Sequence, residues 1–241
     1  MRNSQVLECG TLVAGGGLYG CGFAAAIPDA VLVEENNVPG ADFLLSLEQY
    51  RREHFSAGPH PLAAQFQASL LARNAYTREG LLHPGALAPE LYAWLLQTEV
   101  KVCLNSALFL SGEGALLLAG GEGIREVRCR RFHDLRKRQT DGGKIFRALI
   151  DFRGTGVICG TFPGFTLCAS AIPGYAVLSI ELEPSDTWTD ARRKLRMLWN
   201  SREPELAAGK IAWSAAAFSH NSQEGPIHAL NAGLLDGEAA K

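Results

Sequence analysis

The stretch from Thr11 to Glu35 constrains the fold more than any other part of the chain. An apolar run opens into Gly15-x-Gly17-x-x-Gly20, with Ala24 four places on; a second apolar run, Ala30 to Val33, follows and ends in an acid, Glu34. Strand, glycine turn, helix, strand and acid in that order form the fingerprint of a dinucleotide site. Each glycine has a mechanical task. The first permits the tight turn, the second lets a pyrophosphate approach the backbone, and the third lets the helix lie close on the strand. Phosphates would rest on free amides at the helix start, where the backbone dipole favours anions. Glu34 is placed to accept hydrogen bonds from ribose hydroxyls. Pro28-Asp29 interrupts the helix before Ala30, which compresses the usual unit by about one turn, roughly 3.6 residues.

Length and composition set the outer bounds. A chain of 241 residues spans either one large domain or two small ones. With 47% hydrophobic and 20% charged residues it can bury a core, and a net charge of −2 draws it neither to nucleic acid nor to an anionic membrane. No apolar segment approaches the roughly 18 residues that span a bilayer, and Met1-Arg2-Asn3-Ser4 has no signal-peptide pattern. A cytoplasmic location is expected, with no nucleic-acid partner and no membrane. The six cysteines, Cys9, Cys21, Cys103, Cys129, Cys159 and Cys168, contain no CxxC and lie mostly in apolar stretches. They read as small buried hydrophobes in a reducing compartment. Cys21 alone falls in the first turn of the phosphate-binding helix, where a thiolate is stabilised.

Beyond Glu34, a turn-rich exit Glu35-Asn36-Asn37-Val38-Pro39-Gly40 leads to three helical patterns: Phe43 to His54, Pro61 to about Ala75, and Pro89 to Gln97. Trp94, in the third, reads as core. From Val100 the texture turns to short β runs between glycines: Val100–Leu104, Ala107–Leu110, Ala115–Ala119, Ile124–Arg131 and Lys144–Asp151, the turns including Asp141-Gly142-Gly143. This predicts a returning parallel strand, an antiparallel meander and a further strand ending in Asp151, ahead of Gly154-Thr155-Gly156. Phe165–Ala171 and Tyr175–Leu182 read as strands. Thr189–Trp199 is an amphipathic helix begun by Thr187 or Asp190, and Pro226–Lys241 is a closing helix.

On these motifs the chain resembles the FAD-dependent oxidoreductases of the glutathione-reductase-like superfamily. VAGGGLYGCGFAAA is similar to that family's first motif, VLVEE to the strand ending in the ribose-binding glutamate, and ALIDFRGTG to its later strand and glycine turn. HPGALAPELYAWLLQ and the following β-rich segment are similar to its helix, strand and meander, so coverage runs from Thr11 to about Gly160. The resemblance implies an α/β fold: a Rossmann-like FAD-binding parallel sheet with an antiparallel β meander and a reduced second subdomain. It places the core at 1–160, with a helical insertion at about 41–97, and a reduced cap at 161–241 closing with a helix back on the core. It further implies FAD, its pyrophosphate over Gly15, Gly16, Gly17 and Gly20 and its adenosine ribose on Glu34, with Leu18, Tyr19 and Glu35 also among the cofactor-binding residues. Further contacts would come from Cys103, Asp151 and Gly154, and the closing helix would begin near Gly225 and face the flavin. Phe152-Arg153 replaces the family's Ala-Thr, Pro39-Gly40 only partly matches its double glycine, and few residues are left for a substrate domain.

No HExxH, paired Cys/His spacing or P-loop is present, so metal catalysis is not expected. His54 and His60 flank a loop that could overlie a cofactor or simply be exposed, and His220 stands in a polar loop before the last helix. Arg125 to Arg138 is the one concentrated basic tract, and it reads as a solvated hairpin. Two functions lead, and a third, an NAD-dependent or methyl-transferring Rossmann enzyme, would account for the first glycine motif but not for ALIDFRGTG. One is FAD-dependent hydride transfer to or from an unidentified small-molecule substrate, by a homo-oligomer or a chain with a partner. The other is a cofactor-less relative acting as a non-catalytic partner subunit.

Overall fold

The computed structural model describes residues 6–53, 59–136, 143–220 and 225–241. His54, Lys137, Arg138, Asp141, Gly142 and residues 221–224 fall outside them, as does the side chain of His220.

Two sheets organise the chain. The first contains β1 (Val6–Ala14), β2 (Ala30–Val33), β3 (Lys101–Cys103), β4 (Ala107–Leu110), β5 (Leu116–Gly120) and β6 (Gly123–Asp134), in the order β3-β2-β1-β6-β5-β4. β3, β2, β1 and β6 run parallel, whereas β6, β5 and β4 form the antiparallel meander. One face of this sheet packs against α1 (Leu18–Ala26), α3 (Pro61–Ala72), α4 (Pro84–Gln97) and α6 (Pro226–Ala239) around Val13, Leu32, Phe66, Leu91, Trp94 and Leu230. The other closes over a smaller core where Leu108 and Leu118 of the meander meet Leu12, Ala14, Val31 and Val33. This is the Rossmann-like sheet with meander that the sequence predicts.

Strand β6 serves both parts: its Gly123–Glu126 end completes the meander, and Glu126–Asp134 lies parallel to β1. That corrects the sequence reading, which gave a separate later role in this assembly to the strand ending in Asp151. That strand, β7 (Lys144–Asp151), belongs to the second sheet with β8 (Gly160–Phe162), β9 (Phe165–Ala169), β10 (Tyr175–Leu182), β11 (Lys210–Ser214) and β12 (Ser219–His220). The second sheet therefore begins at Lys144, ahead of the boundary near 160 expected from the sequence. It is antiparallel throughout, and α5 (Trp188–Asn200) seals it with Ala191, Leu195 and Trp199 over Phe146, Ile150 and Leu178.

Helix α6 packs into the core of the first sheet and lies backbone to backbone on α1. A Cβ on Gly22 would strike the Leu230 carbonyl, and one on Gly233 the Tyr19 carbonyl, so small residues alone permit this approach. Two helix boundaries differ from the sequence reading. α4 starts at Pro84, because the His83 side chain accepts a hydrogen bond from Gly85 N–H, and Pro89 sits inside the helix. The helix expected over Phe43–His54 is only the short α2 (Ala41–Leu44). The chain then leaves helical geometry: Leu47 takes a φ of 57°, and the Leu45 carbonyl accepts from Ala216 and Ala217 N–H of the second sheet's connection at 2.8 and 3.1 Å.

Candidate functional site

The glycine turn has the backbone its sequence demands. Gly15 adopts a φ of 106°, a region open chiefly to glycine, and its N–H donates to the Val33 carbonyl at 2.9 Å, tying β1 to β2. A Cβ on Gly20 would collide with the Gly15 carbonyl. The third glycine thus lets α1 start directly over the strand.

Two amides beyond Gly15 in that turn are already engaged by carboxylates. Gly16 N–H donates to Glu34 Oε2 at 2.7 Å, and Leu18 N–H to Asp42 Oδ1 at 3.2 Å. The other Glu34 oxygen accepts from the Asn36 backbone and side chain at 2.7 and 2.6 Å. A Cβ on Gly16 would stand 2.7 Å from the Glu34 Cβ, and one on Gly17 2.6 Å from Asp42 Oδ2. The space that these glycines keep open therefore holds two carboxylates of the chain itself. A diphosphate entering it would meet like charge and spent donors, a pairing that electrostatics opposes. FAD does not fit this cradle as it is arranged.

The Asp42 carboxyl is pushed up to about 6, chiefly by desolvation, with Glu34 adding to the rise against the hydrogen bonds from Leu18 and Phe43. Asp42 nevertheless keeps an exposed surface, and the water reaching it screens the effect. Cys21 is buried, its thiol donates to the Gly16 carbonyl at 3.3 Å, and burial followed by Asp42 and Glu34 raises it well above the ordinary thiol value. Cys21 is thus a buried thiol, as the apolar stretches around the cysteines suggest, and burial more than the nearby carboxylates keeps it protonated.

A second helix start is filled in the same way. Gly225 precedes α6, and Ile227 and His228 N–H donate to the Glu53 carboxylate at 3.1 and 2.7 Å. The His228 ring adds a contact to Glu53 at 2.5 Å, and a Cβ on Gly225 would overlap that carboxylate. Asp42 and Glu53 both belong to the segment 34–53, a strap leaving β2. The strap crosses the glycine turn, where Gly40 N–H donates to the Gly16 carbonyl at 2.6 Å. It then runs along the second sheet, where Gln49 Oε1 accepts from Ala171 N–H at 2.9 Å. There Glu48 pairs with the buried Arg147 at 3.2 Å and accepts from the Tyr50 hydroxyl at 2.7 Å, while Arg147 also donates to Ser219. Sequence reasoning missed the strap, because its contacts lie far apart along the chain.

The other expected site residues are dispersed. Leu18 is buried. The Tyr19 hydroxyl donates to Asp236 of α6 at 2.6 Å. Glu35 is exposed and pairs with Arg136 at 3.3 Å. The Cys103 carbonyl does meet the site's edge, accepting from Glu34 N–H at 2.9 Å. Asp151 ends β7 in the second sheet, opposite Tyr175 and Lys210, and binds Arg153 at 2.6 Å. Gly154 follows it in an exposed turn with open space around it. The two glycine turns therefore sit on different sheets, and β6, not β7, runs beside β1: Leu135, just past its end, donates to the Ala14 carbonyl at 2.8 Å.

His60 caps α3 by accepting from Leu62 N–H at 3.2 Å, and its other ring nitrogen meets Glu238 at 3.2 Å. In the basic tract, Arg125, Arg128 and Arg136 pair with Glu122, Glu126 and Asp134, and Arg131 donates to the Ala240 carbonyl. Trp94 is buried, as expected. The cysteines are not uniformly interior: Cys21 is buried, Cys9, Cys103 and Cys129 are half-buried, and Cys159 and Cys168 are exposed. Among the described residues no group of three or more His, Cys, Asp or Glu could hold a metal, and no helix is long and apolar enough to cross a membrane.

No protein-family model matches the chain, and no curated protein matches it by sequence. Solved structures do. A geranylgeranyl bacteriochlorophyll reductase-like protein from Thermoplasma acidophilum is similar with a TM-score of 0.55 at 12% identity, covering 98% of this chain and 77% of that one. The p-nitrophenol 4-monooxygenase of Pseudomonas putida is similar with a TM-score of 0.52 at 16% identity, covering 97% and 78%. CabE, an aromatic hydroxylase from angucycline biosynthesis, gives 0.50 at 13% identity over 88% of this chain and 52% of that one. The chain thus spans about half the length of that hydroxylase. At these identities the likeness is one of architecture, and the architecture is that of the FAD-binding Rossmann-like flavoproteins.

Proposed function

We propose that this chain is a cofactor-independent relative of the FAD-dependent oxidoreductases, working in the cytoplasm as a partner subunit through protein contacts and not by hydride transfer. One observation carries the reading. The two helix starts that would meet an anionic cofactor, those of α1 and α6, already hold carboxylates of the strap, Asp42 and Glu53. Such starts favour an anion because their amides lack helical partners, and an internal carboxylate meets that need without a ligand. The absorbance spectrum of the purified protein, followed by FAD titration with thermal melting, tests this. The expected protein is colourless, and added FAD neither binds saturably nor raises the melting temperature, as a ligand of the native state must. A yellow preparation that retains stoichiometric flavin overturns it.

A second reading, FAD-dependent hydride transfer with an unidentified small substrate, is favoured by the intact order of glycines and Glu34 and by the raised Asp42 carboxyl. Protonation of Asp42 would free the Leu18 amide and remove one of the two charges. On this reading FAD affinity rises about tenfold for each unit by which the solution is acidified towards the Asp42 value, and Asp42→Asn removes that dependence.

A further inference from the structure

Cys159 and Cys168 stand in solvent on the β8–β9 hairpin. The turn is Pro163-Gly164, and the ladder pairs Phe162 with Phe165, Thr161 with Thr166, and Gly160 with Leu167. One further step in this register sets Cys159 opposite Cys168. The type of that pair follows from the other edge of β9. Ser170 N–H donates to the Tyr175 carbonyl, so the peptide groups of Ser170, Cys168 and Thr166 face β10, and those of Ala169, Leu167 and Phe165 face β8.

The observed ladder ends at the pair of Gly160 with Leu167; continued by one residue, it would make Cys159 and Cys168 a non-hydrogen-bonded cross-strand pair, in which Cα atoms approach to about 4.5 Å. A disulfide bridges Cα separations of roughly 4.4–6.8 Å. Phe165 and Leu167 are buried, so alternation turns Thr166 and Cys168 outward. The Cys159 thiol lies within electrostatic reach of the Cys168 thiol and of the Ala169 N–H.

We propose that Cys159 and Cys168 are a redox modification site, forming a reversible intrachain disulfide by exchange with a low-molecular-weight disulfide of the oxidised-glutathione class. One cysteine thiolate, its proton lost to water, attacks a sulfur of the small disulfide. A protein–glutathione bond forms as the glutathione sulfur–sulfur bond breaks, and one glutathione thiolate leaves. The second cysteine thiolate then attacks the protein sulfur of that mixed disulfide, forming the Cys159–Cys168 bond and expelling the second glutathione thiolate. Two protein thiols are oxidised, one small disulfide is reduced to two thiols, and the released protons return to the leaving groups. Burial, then the proximity of Cys168, raises the Cys159 thiol against the influence of the Ala169 N–H, so its exchange quickens in alkaline solution. The bond would pin β8, a three-residue edge strand, to the sheet interior.

The full chain is equilibrated in glutathione buffers from reducing to oxidising, quenched by alkylation, digested without reduction and mapped by mass spectrometry. Expected are a peptide linking Cys159 to Cys168, loss of two free thiols of the six, no retained glutathione, and full reversal by a dithiol. Cys168→Ser is expected to leave a persistent glutathione adduct on Cys159, because the resolving thiol is gone, and Cys159→Ser the converse. The proposal is overturned if the parent chain keeps separate adducts on both cysteines, leaves both free under oxidising buffer, or links either to a different cysteine.

Discussion

Helix α5 and helices α1 and α6 solve the same problem by opposite means. At α5 the cap is local. Thr187 Oγ1 accepts from Asp190 N–H at 3.3 Å, and the Asp190 carboxylate accepts from Thr187 N–H at 3.0 Å, a reciprocal capping box. At α1 the cap comes from Asp42, 24 residues on, and at α6 from Glu53, 174 residues before Ile227. A local cap stabilises a helix and says nothing of ligands. A carboxylate brought from far along the chain caps a helix start only because the tertiary fold carries it there.

The comparison is tested most severely where the strap is anchored. Arg147 and Glu48 form a buried ion pair, and removing one partner of such a pair costs about 3–5 kcal/mol. Arg147→Ala should lower the urea midpoint accordingly, and a change under about 1 kcal/mol would mean that the strap is held elsewhere. Glu53→Ala is next. It strips two amides and His228 of a charged acceptor, and should cost about 2 kcal/mol by the same measurement, whereas Glu53→Gln, which keeps an acceptor, should cost less. Thr187→Ala removes the local cap of α5 for about 1 kcal/mol. If it proves costlier than Glu53→Ala, the remote caps are secondary and the contrast fails.

The smallest effect concerns Asp42. The folded chain holds its proton up to about pH 6, whereas an unperturbed carboxyl releases it near 3.8. The stability from this group is therefore complete below the lower value and is lost as pH rises through the higher one, by an amount that solvent at this exposed residue reduces. Unfolding curves across that window should show this decline in the parent chain and less of it in Asp42→Asn, whose stability at neutral pH should differ by no more than about 0.5 kcal/mol.

Local signals served sequence reasoning well. β2, β4, β7 and β10 lie where their apolar runs predict, and Thr187 with Asp190 marks the start of α5 as its spacing requires. The failures share one cause. The strand ending in Asp151 followed the right local pattern but joined the other sheet, because the long β6 had already filled the place beside β1. The apolar pattern after Phe43 promised a helix, but the Leu45 carbonyl bonds to Ala216 and Ala217 and draws the chain into the strap. The cysteines on β9 and before β8 sit in apolar company, yet alternation turns both outward.

What the amino-acid sequence alone determined is the Rossmann-like first unit. Glycine at the turn, a short helix, a buried strand and an acid are local steric and hydrogen-bonding demands, met within about thirty residues as such units require. What only the tertiary structure decided is which carboxylates lie at the helix starts. Asp42 joins Glu34 at the glycine turn and Glu53 reaches the start of α6 because a folded strap delivers them there, and no spacing along the chain encodes those distances.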